Sequence, residues 1–280
     1  MAVPENVFSA YVRVIGRIFP GGTGETMLYR RLTRRLSPKI KVGNIWFDAR
    51  DKASESRGMR LFEKEPDTLA WINNFVNEGD VFFDVGANVG VFSLYVAKNR
   101  LGRVYAFEPE ATNYEILNRN IKINTLDDSI SAYCVALNSQ DVISVLRLSS
   151  LEAGRSQHSF MRKTDVFHHP IAHLFSQGAI GIRGDSLVEV YGLPCPNHIK
   201  IDVDGNEDLI LDGMTKVLNS TNVRSVAVEV NLNGERHMHI PKMMLGLGFK
   251  QLLDQEYRNF EYERHGLANQ FFVRADGKPI

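Results

Sequence analysis

Short apolar runs and amphipathic patterns alternate along most of this 280-residue chain. The short apolar runs predict strands, whereas apolar positions spaced three to four residues apart predict helices. Strands that are apolar on both faces and are followed by helices are typical of a mostly parallel sheet covered by helices on both sides. The predicted strands span residues 81–85, 103–107, 130–136, 198–202 and 223–230, and the predicted helices span residues 89–99, 110–123, 206–219 and 235–246.

Segments at both ends of this alternation complete the predicted fold. Residues 40–50 indicate a short strand or a hairpin, and residues 65–76 form an amphipathic pattern with Pro66 near the first helical position. Residues 248–254 and 269–275 predict two closing strands. The short connection between them has no helical pattern, so we expect the last strand to run antiparallel to its neighbour.

One stretch, residues 138–192, interrupts the alternation. Its first part, 142–148, can form a strand, but residues 149–178 are polar, irregular and rich in histidine. Long loops in compact domains are usually functional or disordered, and this one lies between the third and fourth parallel strands, over the edge where open α/β sheets bind ligands. We therefore interpret residues 149–184 as a substrate lid. The lid histidines, which have no strong metal-ligand pattern, are His158, His168, His169 and His173.

The composition is that of an ordinary soluble globular protein, with 44% hydrophobic and 24% charged residues. Cys134 and Cys195 have no CxxC spacing, so they predict neither a zinc site nor a disulfide framework and favour a reducing, cytoplasmic compartment. No apolar run approaches the roughly 20 residues that a membrane-spanning helix needs.

The N-terminal segment differs from the rest in charge. Its first 41 residues carry eight basic and two acidic side chains, a net charge of +6, although the whole chain is neutral. We interpret residues 1–40 as a basic amphipathic helical arm that packs on the main domain, residues 41–280, or on a partner subunit. The alternative is a peripheral contact with an anionic membrane surface. Nucleic-acid binding is disfavoured, because the basic run lacks interleaved aromatic residues and the remainder of the chain is acidic.

The sequence VFFDVGANVG, residues 81–90, joins a predicted strand to its helix through a loop with two glycines. Gly86 permits a tight turn, Gly90 permits close packing of helix on strand, and the N–H groups at the helix start favour an anionic group. The spacing is GxxxG rather than the GxGxxG of a dinucleotide fingerprint, and Asp84 would repel a polyphosphate. A ligand with an ammonium group and a nearby carboxylate fits this loop better.

An acidic residue, Glu108, ends the next strand, one β-α-β step after Asp84. A carboxylate at this position can accept hydrogen bonds from both ribose hydroxyls of a nucleoside. Taken alone, Glu108 would suit a helix cap or an exposed surface position. Because it follows the glycine loop at this spacing, ribose binding is the better interpretation.

Five motifs, in this order, resemble the FkbM family of S-adenosylmethionine-dependent methyltransferases. The resemblance covers roughly residues 65–275, and the motifs read FDVGANVGVFSLYVA, VYAFEPEATNYEILNRNIKIN, GDSL, IKIDVDGNEDLILDGM and VAVEVN. It implies an α/β, Rossmann-like class I methyltransferase fold, whose seven-stranded, mostly parallel sheet has the order 3-2-1-4-5-7-6. It also implies S-adenosyl-L-methionine as the cofactor and, usually, O-methylation of hydroxyls on sugars or secondary metabolites.

Carried over to this chain, the resemblance assigns the ribose to Glu108, which Pro109 follows, and the methionine part of the cofactor to the glycine loop. The loop residues concerned are Asp84, Gly86, Ala87, Asn88 and Gly90. Many methyltransferases place an acidic residue after the third strand to meet the adenine amino group, but this sequence reads YCVALNS over residues 133–139. Asn138, or backbone groups near Val135 and Ala136, are the substitutes we expect there.

The segment HIKIDVDGNE, residues 198–207, contains the main catalytic candidates, Lys200 and Asp202, on one face of a strand. Asp202 ends a central strand and is expected to face the transferring methyl group. There it would position the substrate hydroxyl, take its proton with a pKa raised by partial burial, or orient the cofactor ammonium. Lys200 is its expected partner, and Glu229, near the end of the fifth strand, is a second candidate for the substrate pocket.

Asp204 and Glu207 have the spacing of a capping box at the start of the next helix, and we favour that structural role. The alternative is a divalent metal ion held by Asp202 with Asp204 or Glu229. We do not favour metal dependence.

These inferences lead to the hypothesis of an S-adenosylmethionine-dependent O-methyltransferase that acts on a hydroxyl of a sugar, glycolipid or polyketide-like small molecule. Two alternatives remain open. One is an N-methyltransferase, or a methyltransferase acting on a protein or lipid, towards which the basic arm points. The other is a non-catalytic adenosyl-binding scaffold subunit whose arm mediates assembly.

Overall fold

Strands follow the sequence prediction along most of the chain. The structure is a computed structural model that describes residues 38–50, 52–148, 159–161, 174–259, 263 and 266–274. The strands are β1 (Lys39–Val42), β2 (Ile45–Asp48), β3 (Val81–Val85), β4 (Arg103–Phe107), β5 (Ile130–Tyr133), β6 (Ala136–Leu137), β7 (Val142–Leu148), β8 (Ser159–Phe160), β9 (Phe175–Ile182), β10 (His198–Ile201), β11 (Ser225–Asn231), β12 (Phe249–Gln251) and β13 (Leu267–Arg274).

Helices connect most of the parallel strands. They are α1 (Lys52–Met59), α2 (Leu61–Lys64), α3 (Pro66–Phe75), α4 (Val91–Tyr95), α5 (Ala111–Asn124), α6 (Gly184–Glu189), α7 (Glu207–Asp212), α8 (Thr215–Asn219) and α9 (Ile240–Gly246). Helix α4 continues as a π-helical turn over Val96–Arg100, and a 3-10 turn spans Gln255–Tyr257. Most of the predicted basic arm and most of the predicted lid, with all four of its histidines, lie outside the described residues.

The main sheet has seven strands in the order β12-β13-β11-β10-β3-β4-β5. Strands β11, β10, β3, β4 and β5 are parallel neighbours, and β13 is antiparallel to both β11 and β12. Numbered along the chain within this sheet, the order is 6-7-5-4-1-2-3. Read from the other edge, it is the order that the resemblance implied, so the predicted fold class and the antiparallel last strand are both confirmed.

Hydrophobic clusters cover both faces of the main sheet. On one face, Trp71 of α3 packs against Phe82 and Phe271, and its Nε1–H donates to Ser225 Oγ at 3.0 Å. On the other face, Phe83 packs against Phe107 and lies in a cluster with the buried side of α7. Adjacent strand residues point to opposite faces, which explains why Phe82 and Phe83 belong to different clusters.

Several boundaries differ from the predictions for local reasons. The predicted strand 130–136 ends at Tyr133, because Ala136–Leu137 pairs instead with β9 in a separate sheet of order β6-β9-β7-β8. The irregular chain predicted up to residue 178 is wrong at Phe175–Gly178, which belongs to β9 and pairs antiparallel with β7. The predicted helix 206–219 is interrupted around Gly213, and the helix predicted from residue 235 begins only at Ile240.

Two asparagines of α5 attach the β1–β2 hairpin to the domain. Asn120 accepts the Asp48 N–H at 2.7 Å and donates to the Val89 carbonyl at 2.7 Å, so it joins the hairpin to the glycine loop. Asn124 exchanges hydrogen bonds with the N–H and the carbonyl of Trp46. Both side chains are buried, and removal of either would leave backbone groups without partners.

We predict that Asn120→Ala lowers the free energy of unfolding by about 2–4 kcal/mol, because two buried backbone groups lose their partners. Asn118→Ala is the matched control, since Asn118 lies on the exposed face of the same helix. We expect it to change the free energy by less than about 0.5 kcal/mol. Chemical denaturation measures both, and equal effects would contradict the bridging role of Asn120.

Candidate active site

Five residues form one row across the carboxyl edge of the main sheet. Val85 lies opposite Phe107 and Ile201, Phe107 opposite Tyr133, and Ile201 opposite Val228. The residues that follow these positions are therefore neighbours in the order Cys134, Glu108, Gly86, Asp202 and Glu229. Three backbone hydrogen bonds of 3.0–3.1 Å, donated by Glu108, Gly86 and Asp202, extend the sheet ladder into this row.

A cleft lies over the middle of the row and encloses about 560 Å³, including its solvent-open mouth. One end is apolar, because Phe107, Val135, Leu146 and Phe160 form its walls. The other end is acidic, because Asp202 and Asp204 line it. Of the residues predicted from the sequence to form the site, those lining the cleft are Gly86, Asn88, Glu108, Pro109, Ala136 and Asp202.

The glycine loop holds the middle of the row. Gly86 has φ +79°, and a Cβ atom there would lie 1.9 Å from the Asp202 carbonyl oxygen. Gly90 has φ +88°, and a Cβ atom there would lie 2.4 Å from Leu117 Cδ1. The first glycine thus lets β3 and β10 approach at the cleft floor, and the second lets α4 pack against α5. The role of Gly86 agrees with the sequence analysis, whereas Gly90 was expected to let its helix pack on a strand and instead lets it pack on another helix.

Three of the predicted loop residues lie beneath the cleft and do not line it. Asp84 is 1% exposed, its Oδ2 accepts the Ser93 hydroxyl at 2.5 Å, and its Oδ1 has no partner among the described residues. Burial raises the pKa of Asp84, and the ammonium of Lys200 opposes that rise. Ala87 and Gly90 are also buried. These residues support the loop that lines the cleft.

Glu108 is the carboxylate at the cleft floor. Its Oε2 accepts the Asn88 N–H at 2.7 Å and its Oε1 accepts the Glu110 N–H at 2.9 Å. Burial raises the pKa of Glu108 to about 7, although these two hydrogen bonds oppose the rise. Each oxygen keeps a further lone pair for a ligand hydroxyl.

Two neighbours that the sequence analysis missed hold the Glu108 segment. Glu110 caps α5 by accepting the N–H groups of Thr112 and Asn113 at 2.9 and 2.6 Å. Gln177 of β9 donates to the Pro109 carbonyl at 2.7 Å and accepts the Ala111 N–H at 3.1 Å. An acidic residue just before a helical pattern is a cap signal that could have identified Glu110. Nothing in the sequence links Gln177 to a segment 68 residues away.

Lys200 and Asp202 form the predicted pair, with Nζ donating to Asp202 Oδ2 at 2.7 Å. Burial acts to raise the pKa of Asp202, but Lys200 and then Lys64 outweigh it and hold that pKa below its ordinary value. The predicted rise in the Asp202 pKa is therefore wrong. Burial opposes the charge of Lys200, yet the carboxylates of Asp202, Glu65 and Asp84 raise its pKa. Asp202 is consequently an anion and a weak proton acceptor.

Glu229 follows Asp202 in the row and has the opposite electrostatic character. Burial raises its pKa well above the ordinary value, and the carboxylates of Asp202, Asp204 and Glu207 raise it further. Its side chain forms no hydrogen bond with another described residue. Glu229 is the carboxyl of this cluster whose pKa moves towards the range of a general base.

The loop after Asp202 is held from below by Glu207. Its Oε1 accepts the N–H groups of Val203 and Gly205 at 3.0 and 3.2 Å. Asn206, not Asp204, occupies the N-cap of α7, so the predicted capping box is wrong. The reason is that Asp204 has φ +61° and lies within a tight loop ahead of the helix. Asp204 instead lines the cleft.

His237, which the sequence analysis did not identify, completes this support. Its Nδ1 accepts the Asn231 N–H at 2.8 Å, so the neutral ring carries its proton on Nε2, which lies 3.2 Å from Glu207 Oε2. His237 is buried in the loop after β11. The sequence analysis assigned this segment to a predicted helix, so it did not predict the contact.

The adenine side agrees only in part with the expectation. Ala136 lines the apolar end of the cleft. Asn138 does not line it, because its N–H donates to the Ile182 carbonyl at 3.0 Å and its side chain is directed to Met161. Of the expected adenine contacts, Val135 and Ala136 thus lie at the cleft and Asn138 does not. The break after Tyr133 turns this segment away from the main sheet and into the smaller one.

Two other features are absent from the part of the chain that the structure describes. Among residues 38–50, 52–148, 159–161, 174–259, 263 and 266–274, no group of three or more histidine, cysteine or acidic side chains is arranged to hold a metal ion. Over the same part of the chain, no helix is long and apolar enough to cross a membrane.

The donor and acceptor groups of the cleft fit a nucleoside. Glu108 offers two carboxylate oxygens to a vicinal diol, and the apolar end, with Phe107 and Phe160, can cover a flat base. A second acidic centre, Asp202, lies two positions further along the row. A nucleoside with a charged tail can therefore extend from Glu108 towards Asp202.

The sheet order, the antiparallel last strand and the cleft at the carboxyl edge define a Rossmann-like methyltransferase fold. The chain belongs to the Methyltransferase FkbM domain family, whose sequence model matches residues 84–251. This assignment confirms the resemblance to the FkbM family that the sequence analysis identified.

Individual proteins that resemble this chain have low sequence identity or a short matched region. The chain is 28% identical over 176 residues to hexuronic acid methyltransferase AglP of Haloferax volcanii, covering 62% of this chain and 65% of the relative. It is 39% identical over 57 residues to methyltransferase sdnD of Sordaria araneosa, covering 20% and 22%. The chain thus spans less than two thirds of these relatives. The crystal structure of methyltransferase FkbM from Methylobacillus flagellatus has a TM-score of 0.47 and 12% identity, over 75% of this chain and 48% of that one.

We predict that Gly86→Ala destabilises the protein by about 3 kcal/mol, of which about 1 kcal/mol reflects the positive φ and the rest the collision with Asp202. Gly79→Ala is a matched control, because Gly79 has φ +80° and no atom within 4 Å of an added Cβ. It should cost only about 1 kcal/mol. If urea denaturation gave the same loss for both variants, the close approach of β3 and β10 would not constrain the site.

Proposed function

We propose that the protein transfers a methyl group from S-adenosylmethionine to a hydroxyl of a sugar or related small molecule. The observation that carries this proposal is the position of Glu108, a buried carboxylate on the cleft floor, in one row with Gly86 and Asp202. Glu108 would hold the ribose hydroxyls, and the apolar end of the cleft would hold the adenine. The methionine part would then lie along Gly86 and Asn88, towards Asp202.

The proposed acceptor class rests on a relative. AglP is named a hexuronic acid methyltransferase, and its similarity to this chain supports a sugar as the acceptor. The acidic end of the cleft is consistent with a hydroxylated acceptor, because carboxylates accept hydrogen bonds from hydroxyl groups. Oxygen is therefore the proposed methyl acceptor atom.

S-adenosylmethionine supplies a methyl group on a positively charged sulfur, and methyl transfer to a hydroxyl forms one C–O bond while one C–S bond breaks. The hydroxyl proton must leave in the same reaction. We assign hydrogen bonding of the hydroxyl to Asp202, which Lys200 keeps ionised. We assign proton removal to Glu229, its neighbour in the row, because its pKa is raised by burial.

Alignment supplies the remaining acceleration. An in-line displacement needs the acceptor oxygen and the methyl carbon held in contact and shielded from water. In this chain Lys200 fixes the Asp202 carboxylate, and Glu207 with His237 fixes the loop that follows it. We assign these three residues to positioning.

We predict that Glu108→Ala weakens binding of S-adenosylhomocysteine at least about 30-fold, which corresponds to about 2 kcal/mol, because two charge-assisted hydrogen bonds are lost. Isothermal titration calorimetry measures the affinity. Glu115→Ala is the control, since Glu115 is an exposed residue on the neighbouring helix. Wild-type affinity in Glu108→Ala would remove the ribose assignment and, with it, the main support for the proposed function.

We predict that Glu229→Gln lowers kcat about 100-fold or more, because the proposed proton acceptor is lost. The affinity for S-adenosylhomocysteine should change less than about threefold. Glu235→Gln, at an exposed position soon after the same strand, serves as the control and should keep wild-type turnover. Turnover is measured with an acceptor whose hydroxyl is free, and unchanged turnover in Glu229→Gln would show that Glu229 does not take the proton.

A further inference from the structure

A second pocket lies beside the cleft and is lined by α1, α2 and the start of α4. We name it the basic pocket, because its polar lining consists of Arg57, Arg60, Lys64 and Glu65. It encloses about 290 Å³, including its open mouth. Leu61, Val91 and Phe92 complete the lining and supply an apolar wall.

The basic pocket and the cleft are adjacent through the Lys200–Asp202 pair. The Lys200 ammonium lies 4.8 Å from the centre of the Phe92 ring, which lines the basic pocket, and donates to Asp202, which lines the cleft. Two cations of the basic pocket, Lys64 and Arg57, also act electrostatically on the Asp202 carboxylate. Lys200 therefore contacts a lining residue of each pocket, and the cations of the basic pocket lie close enough to influence Asp202.

Basic side chains outnumber acidic ones among the described residues that line the basic pocket. Three cations face one carboxylate, Glu65, which accepts hydrogen bonds from Lys64 Nζ at 2.9 Å and from Thr68 Oγ1 at 3.4 Å. Arg60 is exposed and forms no ion pair with another described residue. Among its described lining residues, the pocket thus carries an excess of two formal positive charges. Such an excess beside an apolar wall favours a small anionic ligand with an apolar face.

We propose that the basic pocket binds a carboxylate of the methyl acceptor, so that the preferred acceptor is an acidic sugar with its reacting hydroxyl at Asp202. This inference rests on the proposed function and adds the residues that select the acceptor. The planar guanidinium groups of Arg57 and Arg60 present paired N–H donors, whose geometry matches a carboxylate. The Phe92 ring and its neighbours then contact the apolar face of the sugar.

Binding measured without turnover tests this assignment. The protein is saturated with S-adenosylhomocysteine and titrated with glucuronate, with glucose and with glucose 6-phosphate. We expect glucuronate to bind at least about tenfold more tightly than glucose, because one charge-assisted hydrogen bond contributes a difference of that size to the affinity. We also expect glucuronate to bind more tightly than the phosphate. Equal affinities for glucuronate and glucose would overturn the proposal, and a preference for the phosphate would overturn the choice of carboxylate.

Substitutions of the pocket arginines test whether these residues cause the preference for glucuronate over glucose. Arg57→Gln with Arg60→Gln should abolish the preference for glucuronate while leaving S-adenosylhomocysteine affinity unchanged. Arg60→Gln alone, at an exposed position, should reduce the preference for glucuronate. This single variant keeps the test informative if the double variant misfolds. Arg103→Gln, at the opposite edge of the sheet, is the control. A preference retained in both pocket variants overturns the proposal.

The same titrations separate the two proposals. If wild-type protein fails to bind S-adenosylhomocysteine, the proposed function itself is contradicted. If that ligand binds normally and glucuronate is not preferred over glucose, only the carboxylate site is contradicted.

Discussion

The site depends on the register of four parallel strands at their carboxyl edge. Because β5, β4, β3 and β10 are paired without offset, the residues that follow them come together in one row. The approach of Gly86 to the Asp202 carbonyl closes that row at its centre, where only a residue without a side chain fits. Glu108 on one side and Asp202 on the other are thereby held on one floor. A shift of one residue in the register of β4 or β10 would separate Glu108 from Asp202.

Burial of several charges in a small volume is the second constraint. Lys200 lies among the carboxylates of Asp202, Glu65 and Asp84, and burial alone would neutralise such groups. One buried ammonium keeps Asp202 ionised, while Glu229, further from it, has a raised pKa. Two neighbouring carboxyl groups thus acquire different proton affinities from their surroundings. That difference is the basis for assigning them different tasks in methyl transfer.

The sequence was sufficient for features that repeat or that use residues with special backbone freedom. The alternation of apolar runs and helices predicted the sheet, and Gly86, Gly90 and Glu108 predicted its ligand edge. Features that depend on contacts distant along the chain were not predictable. Gln177 of β9 meets a partner 68 residues away, and His237 lies in a segment that the sequence analysis assigned to a helix. Lys64, more than a hundred residues from Asp202, adds to the effect of Lys200 in lowering the Asp202 pKa. The turn after Tyr133, which removes Asn138 from the cleft, follows from pairing with β9.

The central claim is that the Glu108 carboxylate accepts hydrogen bonds from the ribose hydroxyls of the methyl donor. The titration of Glu108 offers the most direct test. Ribose hydroxyls donate to the carboxylate form, so affinity should be full above the Glu108 pKa of about 7 and should fall as the pH decreases through it. Calorimetry with S-adenosylhomocysteine should give about tenfold tighter binding at pH 8 than at pH 6. Glu108→Gln should lose that dependence, and NAD should not bind at either pH. Preferential binding of NAD, or a pH dependence unchanged in Glu108→Gln, would contradict the claim.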